Sequence, residues 1–244
     1  MDRELWKTIK KEIKLREDAE PSLGPFLHSL ISSQTDLLAA VASILSSKLH
    51  SDALSATDIR RFILEVYREC DHIETSLEED LIFFKENDPA CDYLSTPLLF
   101  YKGFLGLATH RAANCLWKND RHTMALFFQN RASEVFGIDI HPAANIAGAV
   151  MMDHATGIVI GQTCNIESEV SIFQGVTLGG TGNDSGKRHP DVKRGATIYA
   201  SSTILGNIEI GEGSTIAAGS LVLKSVKPGI TVAGIPAKEL GSSN

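Results

Sequence analysis

The chain has 244 residues, of which 43% are hydrophobic and 22% charged, with a formal net charge of −7. That balance is ordinary for a globular protein and excludes disordered, collagen-like and coiled-coil chains. The negative excess works against nucleic acid and acidic membrane surfaces, while leaving small anionic ligands open to local basic clusters.

The opening stretch, MDRELWKTIKKEIK, is amphipathic, unlike the apolar heart of a signal peptide. No run approaches the roughly 18 uninterrupted apolar residues of a membrane span, so a cytoplasmic chain is expected. From Trp6 to Phe136 the apolar residues recur at helical spacing; Ile59, Phe62, Ile63 and Val66 share one face. About six or seven helices are expected here. Thr57 and Asp58 offer an N-cap and a first-turn acid, and Asp120 is the expected cap of a helix ending at Gly137. Cys70, Cys91, Cys115 and Cys164 are scattered without CxxC spacing, which predicts reduced thiols in packed positions. Asp88, before Pro89, reads locally as a turn residue.

After Gly137 the helical period ends and an aliphatic residue recurs at every sixth position. Ile140, Ile146, Met152 and Ile158 form one run; Ile160, Ile166, Ile172 and Leu178 continue in a shifted phase; Ile198, Ile204, Ile210, Ile216 and Val222 form a third. This interval suits neither an amphipathic helix nor an alternating strand, but fits a left-handed parallel β-helix of hexapeptide repeats, in which three short strands close each triangular coil. The fold class is therefore α+β: an α-helical part over residues 1–137, a β-helix over 138–240 and a short tail over 241–244. A prism filled with isoleucine and valine has no inner room for a polar substrate, so the site is expected outside, in a groove between copies of a homo-oligomer.

Two polar features interrupt the ladder. Asp153 and His154 stand inside the apolar run VMMDHATGIVIG, and a glycine-rich basic stretch at 179–197, with Lys187, Arg188, His189, Lys193 and Arg194, is expected to loop outward. About one coil before His154 lies IDIHP, so Asp139 is expected to stack near the imidazole, fixing its tautomer and making it a better base for a hydroxyl nucleophile.

These segments resemble the serine acetyltransferases of cysteine biosynthesis over nearly the whole chain: DPACD at 88–92, STPLLFYKGF at 95–104, IDIHPAA at 138–144, DHATGIVIG at 153–161, VTLGGTG at 176–182 and KRHP at 187–190. The resemblance implies acetyl transfer from acetyl-CoA, as co-substrate, to the hydroxyl of L-serine, with no metal and no permanently bound cofactor. It implies His154 as base, oriented by Asp139. His189 and Arg188 would face the serine carboxylate, and Asp88 and Asp153 would hold its amino group. Gly180, Ala200 and Ala218 would line the CoA path, with Lys224, Lys227 and Lys238 within reach of its phosphates. It further implies feedback inhibition by L-cysteine and trimers paired through their helical parts into a hexamer.

Tyr199 stands where such enzymes commonly carry glycine, which alters the expected CoA groove. The chain stops at ELGSSN, without the terminal isoleucine that in many relatives plugs O-acetylserine sulfhydrylase, and this weighs against that partnership. Three other readings compete: an acetyltransferase for a sugar or xenobiotic hydroxyl; a zinc lyase of the carbonic anhydrase type with His141, His154 and His189 as ligands; and a non-catalytic scaffold. The long helical part argues against the first, and the absence of a close histidine pair on one coil against the second.

Overall fold

A computed structural model describes residues 3–182 and 185–242. Its helical part contains α1 (Arg3–Ala19), α2 (Gly24–Leu27), α3 (Leu37–Leu49), α4 (Ala56–Glu69), α5 (His72–Asn87), α6 (Ser95–Phe100), α7 (Lys102–Lys118) and α8 (His122–Phe136). Helix α7 is the centre of this region: every residue from Gly103 to Leu116 is buried, including the polar Thr109, His110, Arg111 and Asn114.

Caps differ from expectation in instructive ways. Ser55, not Thr57, caps α4: its hydroxyl accepts from the Asp58 amide (3.1 Å) and donates to the Asp58 carboxylate (2.7 Å). Asp120 does not cap α8. It closes α7, with left-handed φ of 57°, as the amides of Asp120 and Arg121 reach back to the carbonyls of Trp117 and Leu116. Gly137 ends α8 as expected, at φ 67°. The cysteine expectation is corrected for one pair. Cys70, just after α4, and Cys115 on α7 are disulfide-bonded, whereas Cys91 and Cys164 are free and buried. Sequence separation hid the pair; helix packing brings their Cα atoms to 6.6 Å.

From Ile138 onward the chain winds about five times around one core. The three flat sides are parallel sheets. One contains β1 (Ile138–Ile140), β4 (Ile158–Ile160), β7 (Thr177–Gly179), β10 (Thr203–Leu205) and β13 (Leu221–Val222). The second contains β2 (Asn145–Ile146), β5 (Asn165–Ile166), β8 (Asp191–Val192) and β11 (Glu209–Ile210). The third contains β3 (Val150–Asp153), β6 (Val170–Phe173), β9 (Thr197–Ile198), β12 (Thr215–Ile216) and β14 (Ile230–Ala233), and β15 (Lys238–Ser242) closes it antiparallel to β14. The ladder residues fill the prism, nearly all of them fully buried.

Register explains the phase shift in the sequence. Ile140 pairs with Ile160 and Met152 with Ile172, so the first coil is 20 residues long, while the next, from Ile160 to Leu178, is 18. The extra pair lies between Met152 and Ile160, at the corner occupied by His154 and Ala155, both with left-handed backbone (φ 54° and 59°). Such backbone costs about 1–3 kcal/mol per non-glycine residue and persists where surrounding structure imposes it. The outward stretch is also shorter than 179–197: Val192 pairs with Ile166 and Ile210 and rejoins the ladder, and Thr197 begins β9.

The helical part grips the first coil closely. A Cβ on Gly103 would lie 1.8 Å from the Met152 carbonyl oxygen, and one on Gly106 would lie 2.5 Å from Ile138 Cδ1. Beside this contact, buried Asp80 accepts from Arg111 (Nη2 at 2.6 Å, Nε at 2.9 Å) and from the Val150 amide (3.0 Å). Arg111 also donates to the Ala147 carbonyl (3.0 Å), and Asn114 to those of Pro142 (2.8 Å) and Ala144 (3.0 Å). The side chains of α5 and α7 thus satisfy backbone groups that the first coil cannot pair with a coil beneath it. Among the described helices none is long and apolar enough to cross a membrane.

Candidate active site

Where α7 begins, its N-terminus, the end of α5 and the inserted corner enclose a cavity of about 470 Å³. Asp88, Tyr101, Lys102, Gly103, Asp153 and His154 are among the residues that line it. Asp88, just beyond α5, accepts from the Ala90 amide at 2.8 Å, so the turn role read from Pro89 is real and coexists with a place in the cavity. Asp153 ends β3 and is about three-quarters buried, whereas the His154 side chain is 72% exposed, with Nε2 3.7 Å from an Asp153 oxygen. Lys102 donates to the Thr156 hydroxyl. Burial, and then the charge of Asp88, push the Tyr101 phenol up to about 12 and the Cys91 thiol up to about 11. The cavity therefore presents two carboxylates and a displayed imidazole, a setting for a cationic group beside a proton acceptor.

A second cluster lies outside that lining. His189 is buried, and its Nδ1 accepts from the Thr163 amide (3.2 Å), which assigns the ring proton to Nε2. Burial, then the charge of Arg188, lowers its pKa, so the ring is a neutral donor. Arg188 donates to Gln162 Oε1 at 2.7 Å. Gly180 lies against both: a Cβ there would be 3.1 Å from His189 Nε2. Burial lowers the pKa of His141, with Asp139 opposing and Arg188 assisting that shift, which places these groups on one side of the prism.

The structure brings Asp88, Asp153 and His154 together, and separately Arg188, His189 and Gly180. Asp139 does not stack on His154 as expected. Because the first coil has 20 residues, its partner above is Val159 on the five-stranded sheet, and its Oδ1 accepts from Gln129 at 2.7 Å. Ala200 and Ala218 lie on the corner column above His154, along which Gly175 donates to the Thr156 carbonyl, Ser201 to Gln174 and Gly219 to Ala200 (each 2.8 Å). Tyr199 projects beside that column, stacked on Phe173 with centroids 5.0 Å apart. Sequence reasoning missed Tyr101, Lys102 and Gly103; their signal was only their place in STPLLFYKGF. Among the described residues of one chain no group of three or more His, Cys, Asp or Glu is arranged to hold a metal ion.

A helical region seated on a hexapeptide β-solenoid, with a histidine displayed on an enlarged corner beside an acidic cavity, is the build of a hexapeptide-repeat acyltransferase. Residues 5–109 match the N-terminal region of serine acetyltransferases. Over 237 residues the chain is 45% identical to a serine acetyltransferase of Salmonella typhimurium, covering 97% of this chain and 87% of that one. It superposes on solved serine acetyltransferases in complex with cysteine (TM-score 0.97, 42% identity, covering 100% of this chain and 95% of that one) and with CoA (0.95, 42%, covering 98% and 100%). The chain belongs to the serine acetyltransferase family.

Proposed function

We propose that the chain transfers the acetyl group of acetyl-CoA to the hydroxyl of L-serine, giving O-acetyl-L-serine and CoA, with His154 as general base. The observation that carries this is the inserted corner: a two-residue enlargement of one coil displays His154 at the mouth of a cavity lined by Asp88 and Asp153. The serine ammonium sits between those carboxylates, where charge-assisted hydrogen bonds are strong. His154 takes the hydroxyl proton as the oxygen attacks the thioester carbon; the tetrahedral intermediate then collapses, the C–S bond breaks, and the imidazolium returns the proton to the CoA sulfur. Asp139 is retained as the carboxylate that orients the imidazole. The pantetheine arm of CoA lies along the corner column of Ala200 and Ala218, with Gly180 of the second cluster facing it from a neighbouring copy, where small side chains permit close approach.

Arg188 and His189 would hold the serine carboxylate, a fork and a neutral donor suited to it, but in one copy they stand apart from the cavity lined by Asp88. The proposal therefore joins the two clusters between neighbouring copies of a trimer. Residues 1–137 pair two trimers and contribute Asp88 to the serine site, while 138–240 carry the acetyl transfer. L-Cysteine, which differs by sulfur in place of oxygen, would occupy the same contacts as an inhibitor.

Two measurements test this. Thioester loss should require L-serine and not a galactoside; preference for the sugar would overturn the reading. In mixed oligomers of two inactive variants, His154→Ala and Arg188→Ala, random assembly should rebuild about a quarter of the sites, whereas activity no higher than that of the separate variants would overturn the shared site.

A further inference from the structure

Tyr199 stands where related enzymes commonly carry glycine, and the proposed chemistry leaves it without a task. Register places it. Asp153 pairs with Phe173, Ile172 with Ile198 and Ile198 with Ile216, so Asp153, Phe173, Tyr199 and Ala217 form one outward file up the third sheet. The rings of Phe173 and Tyr199 lie 20° from parallel, with centroids 5.0 Å apart. That is about one coil spacing. In the next layer the file carries only the methyl group of Ala217, and Tyr199 is 43% exposed. Two stacked rings that end at a methyl step form a shelf, on which a third flat ring would continue the stack.

The shelf borders the path read for CoA. Tyr199 precedes Ala200 and Ala217 precedes Ala218, so the third layer lies beside the corner column at the height of Ala218. It stands three coils above Asp153, or about 14 Å at strand spacing. A pantetheine arm extended from a thioester at His154 covers that height, and beyond it the diphosphate turns the nucleotide onto the sheet. Adenine is the one aromatic ring system in acetyl-CoA.

We propose that Tyr199 is a binding residue for acetyl-CoA: backed by Phe173, its exposed face stacks the adenine at the level of Ala218. The inference rests on the reading that acetyl-CoA runs along the column of Ala200 and Ala218.

Acetylpantetheine, which shares the thioester and the arm but lacks the nucleotide, separates this role from support of the fold. In Tyr199→Ala, the Kd for CoA by calorimetry and the KM for acetyl-CoA are expected to rise about tenfold, as for loss of one base–aromatic stack. The kcat and the KM for L-serine stay within about twofold. Tyr199→Phe keeps the ring and restores the affinity for CoA. With acetylpantetheine, kcat/KM is expected to be the same in the native protein and in Tyr199→Ala; where that donor turns over too slowly, competition by 3′-phospho-ADP replaces it, with a Ki that rises as the Kd for CoA does. Equal weakening of both thioesters, or a Ki that does not change, shows that Tyr199 acts on the arm or on the fold and overturns the proposal. An unchanged Kd for CoA in Tyr199→Ala, while the native protein binds CoA, overturns the role of Tyr199 alone. A native protein that does not bind CoA overturns the path and Tyr199 with it.

Discussion

The two ends of α7 meet the same coil in opposite ways. Toward its C-terminal half, Asp80 and Arg111 form a buried pair in which both carboxylate oxygens and most guanidinium donors are already engaged. At its N-terminus, Asp88 and Asp153 border an open cavity, and His154 stands largely in solvent. Both regions are polar and both touch β3. An acid whose oxygens are all taken, away from water, can only hold structure together; one with free lone pairs beside a cavity can receive a substrate. Chemistry here is distinguished from architecture by which hydrogen-bonding sites remain open.

The largest effect should come from the closed end. Arg111→Met leaves the Asp80 charge buried and uncompensated, and is expected to cost about 3–5 kcal/mol of stability in denaturant unfolding. Recovery of near-native stability would show that the pair is not the clamp described. At the open end, His154→Ala should lower turnover about 10²-fold or more, or about 2.7 kcal/mol of barrier, with the midpoint of unfolding little changed. Comparable turnover in a folded variant would remove His154 as base. Between the two, Gly103→Ala forces a methyl onto the Met152 carbonyl. A loss of about 1–3 kcal/mol together with a raised serine KM is expected, because the strand that shifts ends in Asp153. A change in stability without any change in KM would separate this packing contact from the site.

The smallest effect sharpens the comparison by pH. His110, buried on α7 with an unpaired Nδ1, has its pKa lowered to about 3 by burial and then by Arg111. The folded state therefore prefers the neutral ring and the unfolded state binds the extra proton first. The contribution is fully present above the ordinary value near 6.5 and is lost as pH falls from there toward 3. Between pH 7.5 and 5.5 the loss should be about 1 kcal/mol, read as a fall in Tm that is shallower in His110→Leu. Parallel curves would exclude His110 as its source.

Much of the solenoid was legible because an inward position every six residues tolerates only aliphatic side chains, whatever the rest of the chain does. Even the enlarged corner left a trace, the shift of phase between Ile158 and Ile160. What the shift meant was not legible. Assuming a uniform coil stacks Asp139 near His154, whereas two extra residues move the partner of Asp139 to Val159. Val192 was overlooked inside a basic, glycine-rich stretch, although it stands six residues before Ile198. Cys70 with Cys115, and Asp80 with Arg111, carry no local signal: each pair is joined only by the packing of separate helices.

Local periodicity, read from the chain alone, determined that a helical region precedes a β-solenoid, while the resemblance to a known family singled out Asp88, Asp153, His154, Arg188 and His189 as candidate site residues. Only the tertiary structure decided which of them share a cavity, which acids are closed off by their neighbours, and which glycines must yield to a backbone oxygen. Periodicity is a property of neighbours along the chain. Burial, register and the vacancy of a lone pair are properties of neighbours in space, and a two-residue insertion is enough to reassign them.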